Sequence, residues 1–122
     1  MLGFIAFAFL RKAGYHGAIG FKNRYASEIA SLRLVGFSEP VDCRSLALGE
    51  HSFNFLGRQD IPSEVQITWR FVDNTADKTV SVSLSGVPRD ASDGELFFVL
   101  SPEGVWTVEF APDLLLDELQ RK

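Results

Sequence analysis

From Gly17 onward, apolar and polar residues alternate in short runs separated by turn chemistry, the pattern of strands that keep one face dry and the other wet. Ala18–Asn23 sets Ile19 and Phe21 against Lys22 and predicts a first strand. Ile29–Phe37 predicts a second, closed by Ser38-Glu39-Pro40, where proline cannot continue a ladder. In His51–Leu56 the residues His51, Phe53 and Phe55 share one side against Ser52 and Asn54, which predicts a third strand with its aromatic side inward. Val65, Ile67, Trp69 and Phe71 then alternate with Gln66, Thr68 and Arg70. After the turn-rich Asp73–Asp77, Val80, Val82 and Leu84 alternate with Ser81, Ser83 and Ser85. That is a hairpin with one dry face. Gly94–Phe110 predicts another, in which Ser101-Pro102-Glu103-Gly104 places proline and glycine where a type I turn accepts them.

About seven short strands predict an all-β domain over residues 17–122, a single antiparallel two-layer sandwich of the immunoglobulin or fibronectin type III kind, with a small barrel as the alternative. The resemblance is architectural: Trp69 sits mid-strand as the core tryptophan of such domains does, while the paired cysteines of true immunoglobulin domains are absent. The expected core is Ile19, Phe21, Leu32, Leu34, Phe53, Phe55, Ile67, Trp69, Val82, Leu84, Phe98 and Val108. In the tail Ala111–Lys122, Leu115 and Leu119 lie four apart, acidic residues lead and Arg121-Lys122 end, as suits a short helix and its dipole.

Composition narrows the function classes. The chain has 122 residues, enough for one core, and a formal charge of −4 with no basic block, which argues against nucleic acid as a partner. Its one cysteine, Cys43, permits no intramolecular disulfide and no cysteine-rich metal motif, and is expected to act as a small buried hydrophobe. His16 and His51 fall in different segments without metal-ligand spacing. Asp90, Asp93 and Glu95 are the densest carboxylates, but Gly94 does not fall at the calcium-loop position and a distal glutamate is missing. No nucleophile elbow, SxxK motif or phosphate-cradling glycine loop is present. The expectation is therefore a protein without catalytic residues, metal or cofactor, a binding, adaptor or structural module that engages another protein. Two alternatives need specific geometry: a carbohydrate-binding module would expose Trp69 or Trp106 on a concave face, and a small hydrolase would bring a histidine to a carboxylate in a cleft. The stripe Thr79, Ser81, Ser83, Ser85 is expected to be a solvated strand face.

Two stretches carry more apolar surface than a half-buried strand needs. Leu96, Phe97, Phe98, Val99 and Leu100 are apolar on both faces, so the second face is a candidate interaction surface unless the tail or a partner covers it. Residues 1–12 open with Leu2, Phe4, Ile5, Phe7, Phe9 and Leu10 before Arg11-Lys12, and residues 13–16 then form a short stalk. The run lacks the charged start and cleavage site of a signal peptide and is shorter than the ~20 apolar residues of a full span. It is either a core element or the end of a membrane anchor that tethers the domain, its charges then leaning towards a domain on the cytoplasmic side. Expressing Tyr15–Lys122 alone separates the two: unchanged thermal unfolding with improved solubility is expected for an anchor, and loss of cooperative unfolding for a core element.

Overall fold

Every run with alternating polarity forms a strand, and one strand forms where alternation fails. The computed structural model describes residues 17–55, 60–74, 76–88 and 94–111. Among these lie β1 (Ala18–Asn23), β2 (Ile29–Val35), β3 (Val41–Leu46), β4 (His51–Phe55), β5 (Glu64–Phe71), β6 (Lys78–Ser83), β7 (Glu95–Leu100) and β8 (Trp106–Ala111), with no helix. Two four-stranded sheets result, ordered β4-β1-β7-β8 and β3-β2-β5-β6. The second is wholly antiparallel. The first is mixed, because β1 pairs antiparallel with β4 but parallel with β7. The fold is thus an all-β sandwich of two mostly antiparallel sheets.

The eighth strand, β3, escapes a pattern reading for a local reason. Its inward residues are Val41, the half-buried Cys43 and then Leu46, so the period of two slips by one. Ser45, at φ 61°, makes the slip. Facing it on β2, the register to β5 shifts between Ile29 and Ser31, and the inward set becomes Ile29, Leu32 and Leu34. The irregularity therefore crosses two paired strands at one level, as a bulge does when it twists a sheet locally. The β7–β8 turn is as predicted. Gly104 N–H donates to the Ser101 carbonyl at 2.9 Å and Ser101 N–H to the Val105 carbonyl at 2.9 Å, with Gly104 at φ 85°, which is a type I turn followed by a glycine bulge.

Between the sheets lie Ile19, Phe21, Leu32, Leu34, Ile67, Trp69, Val82, Leu84 and Phe98, all buried as expected. Val108 is only half-buried. Phe53 is a correction: it is 51% exposed. It pairs with Gly20 on the outer side of the mixed sheet, and it is Ser52, opposite Phe21, that takes the inward parity. Alternation identified two faces of β4 but not which one meets the core, because an edge strand can turn a hydroxyl inward. The side chain of Phe55, residues 1–16 with the whole run Leu2–Leu10, and the tail with Leu115 and Leu119 lie outside the described residues.

β7 is buried on both faces, Leu96, Phe98 and Leu100 towards the core and Phe97 and Val99 on the outside. Instead of offering a surface, Phe97 is packed within the chain. A Cβ on Gly20 would come within 2.7 Å of the Phe97 ring and collide with the Ser52 carbonyl, so only glycine lets the ring lie across β1. The Lys22 ammonium stands 4.5 Å above the ring centroid, and the His51 ring meets it edge-on at 6.4 Å.

At the end of β1, Asn23 is fully buried with every polar atom used. Its Nδ2 donates to the carbonyls of Ser27 at 2.9 Å and Leu46 at 3.0 Å, and its Oδ1 accepts from Tyr25 N–H at 2.9 Å. Its main chain bonds Glu50 and Gly49. One side chain thereby joins the mixed sheet to β3 of the other. Asn23→Ala strands two carbonyls and an N–H in a dry site, and urea unfolding is expected to show a loss of about 2–3 kcal/mol.

Candidate functional site

The two long sides of the sandwich differ. On one side β3 runs into β4 through a four-residue connection, Ala47–Glu50, that Glu50 closes by donating its N–H to the Ala47 carbonyl and accepting Ala47 N–H on Oε1 at 2.7 Å. Cys43 Sγ lies 3.4 Å from Ser52 Oγ there, binding the edges further. On the other side β6 and β8 are each the last described strand of their sheet, and no turn joins them.

Between β6 and β8 opens a cleft of about 500 Å³, lined by Trp69, Val80, Ser81, Val82, Ser83, Gly104, Val105, Trp106, Thr107 and Val108. A second depression of about 320 Å³ shares Ser83 and Val108 with it and continues past Gly86, Val87, Pro88 and Phe110. None of these residues titrates, so the groove is built from apolar surface and hydroxyls. Val80 is 36% and Val105 58% exposed at its rim.

Trp69 and Trp106 meet across the sheets here, edge to face, with centroids 5.6 Å apart and planes at 75°. They are 8% and 7% exposed, and neither indole N–H has a hydrogen-bond acceptor. A buried donor left unpaired costs about 1–3 kcal/mol. Two in one contact beside a cleft make this the least satisfied polar spot among the described residues. The burial also means that neither ring presents an open face on which a sugar could stack, the geometry that the carbohydrate-binding alternative requires.

The main chain at both rims follows from pairing parity. The Ser101–Val105 bond makes Val99–Thr107 and Phe97–Glu109 the bonded pairs of β7 and β8, so the N–H and C=O groups of Trp106 and Val108 turn away from β7, to the side where no described strand lies. On β6, Leu84 N–H donates to the Ser63 carbonyl at 2.8 Å, which makes Val82–Val65 and Val80–Ile67 the bonded pairs and turns Thr79, Ser81 and Ser83 outward. Thr68 and Thr79 fit this, their hydroxyls 3.1 Å apart as in a close non-bonded pair. The hydroxyl stripe Thr79, Ser81, Ser83 and Ser85 is exposed as expected, and its first three members also form the main-chain edge of β6 that no described strand covers.

The remaining candidates are scattered. His51 is exposed on the outer face of the mixed sheet, away from the groove, and Cys43 is half-buried on the closed side. His16, Asp90 and Asp93 lie outside the described residues. A shallow polar hollow of about 390 Å³ covers β3, β2 and β5, where Arg33 donates to both oxygens of Asp42 at 2.8 and 3.2 Å. The hydrogen bond from Arg33 holds the Asp42 carboxyl below the usual range, an exposed pair of small energetic weight.

Glu109 accepts from Lys22 at 3.2 Å and from Arg24 at 3.0 Å, so an ion pair spans β1 to β8 across Phe97. Desolvation pushes its carboxyl up, the bonds and charges of Lys22 and Arg24 push it down, and it settles below the ordinary range. Its folded pKa being depressed, the pair contributes stability above the unfolded carboxylate pKa of about 4.3 and loses it as pH falls through the folded value. With Glu109 42% exposed, the contribution is well under ~1 kcal/mol. Glu109→Gln is expected to flatten the acid limb of stability measured by urea unfolding between neutral pH and about pH 3, with the largest difference from the parent at neutral pH.

No family model matches the chain, and no curated protein matches it. Among solved structures it is similar to a protein from Eubacterium rectale determined by NMR, with a TM-score of 0.53 and 9% identity over 80% of this chain and 89% of that one. A likeness at that identity concerns the fold, and it supports the two-sheet sandwich as the class of this domain.

Proposed function

We propose that the protein is a non-catalytic binding module that engages another polypeptide through the cleft between β6 and β8. The observation that carries this is the Trp69–Trp106 contact, a pair of rings that line a groove of apolar surface and hydroxyls and whose two buried indole donors have no acceptor. Buried polar groups are ordinarily paired, and sites for partners are where they are left open. The described lining supports recognition in preference to chemistry, since it offers hydroxyls and apolar area and, among the described residues, no acid or base. Edge strands are ordinarily blunted or covered, whereas β8 brings valine, tryptophan and free main chain to the same rim. The immunoglobulin or fibronectin type III kinship enters this reading only as a shared use of a sandwich for protein contacts. The strand order is its own, with β1 inside a sheet between β4 and β7, unlike the ABED and CFG sheets of immunoglobulin constant domains.

The test is selection of short random peptides displayed on phage against the full chain, followed by binding to Val80→Trp, whose larger ring fills the rim of the cleft. Enriched peptides are expected to bind Val80→Trp about ten-fold more weakly, at a closely similar unfolding temperature. Enrichment no greater than on a blank surface, or equal affinity for the two proteins, would overturn the reading.

A further inference from the structure

We infer that the occupant of the cleft is an extended peptide segment that adds as a strand to the outer edge of β8, bonding the outward main-chain N–H and C=O groups of Trp106 and Val108. The inference rests on the cleft being the binding site and adds how the ligand is held. Trp106 and Val108 turn their main-chain polar groups away from β7 while their side chains point between the sheets and line the cleft, so one added strand meets hydrogen bonds at its edge and the groove under its inward side chains.

Size selects a peptide over a second folded copy. Ten residues line the cleft, against the roughly 20–30 on each side of a stable interface between folded proteins. The β6 edge is the weaker receiver, because its outward residues Thr79, Ser81 and Ser83 point their side chains to the wet outer face. A strand added there would lay one face along hydroxyls and leave the tryptophans untouched.

Proline substitution reads the edge directly, since proline at an outward position removes a free N–H and leaves the inner ladder intact. With peptides selected on the parent protein, Val108→Pro is expected to weaken binding about ten-fold, or ~1.4 kcal/mol, while Ser81→Pro leaves it within about two-fold. In the parent complex, hydrogen exchange at the Trp106 and Val108 amides is expected to slow and their amide resonances to move downfield. Full affinity in Val108→Pro, or a loss confined to Ser81→Pro, overturns the β8 strand. Should Val108→Pro not fold, the amide exchange and shift measurements decide: unchanged signals overturn the inference and slowed, shifted ones sustain it. Peptides weakened by Val80→Trp but indifferent to Val108→Pro leave the cleft as the site and refute only this mode of binding, whereas indifference to Val80→Trp refutes the site itself. Self-association in sedimentation that Val108→Pro abolishes would put a second copy on the edge and overturn the peptide.

Discussion

Phe97 lies across β1 at the one position where that strand has no side chain, and much of the sandwich is arranged around that contact. Gly20 admits the ring, Lys22 covers it from two residues further along β1, and Glu109 reaches back from β8 to hold Lys22 and Arg24. Three strands are thereby tied on the outer face of the mixed sheet by one aromatic ring and one ion pair. The consequence is a central β1 that is buried on both faces, with Ile19 and Phe21 inward and Ala18 and Gly20 outward. Such a strand pairs on both edges, with β4 on one and β7 on the other, and leaves β8 as the outer member of its sheet.

That placement makes the molecule asymmetric. Asn23 ends β1 at the level of β3, and its bonds to Leu46 and the Gly49–Glu50 connection close the side where β3 becomes β4. No comparable polar hub joins β6 to β8 among the described residues. The cross-sheet contact there is the tryptophan pair, which packs by ring area and leaves its donors unpaired. Closure by hydrogen bonds on one side and by aromatic packing on the other gives a rigid edge opposite an open one.

The parts of this site were visible in the sequence, but their meaning was not. Trp69 and Trp106 read as core residues from their alternation, and they are buried. Alternation carries no information on whether an indole N–H finds an acceptor. The stripe Thr79, Ser81, Ser83 and Ser85 read as a wet face, and it is one. Its coincidence with the free edge of β6 depends on which sheet β6 joins and at which end. Leu96–Leu100 was the converse case, since apolar residues on both faces signalled a missing cover. Around Phe97 the described neighbours are Lys22, His51 and Glu109, separated from β7 by tens of residues in one direction and by a hairpin in the other.

The sequence by itself determined seven strands, both long hairpins, the turn at Ser101–Gly104 and most of the core, because those follow from the period of two and from the local chemistry of proline and glycine. Strand β3 was hidden from it by the parity slip at Ser45. The face of β4 was hidden as well, since Phe53 packs outward beside Gly20 while Ser52 turns towards Cys43. Tertiary structure alone decided the parallel β1–β7 pairing, the burial of Asn23 and the opening between β6 and β8. Each of these joins segments far apart in the chain, and a strand's own pattern records that it has a dry face without recording which strands will dry it.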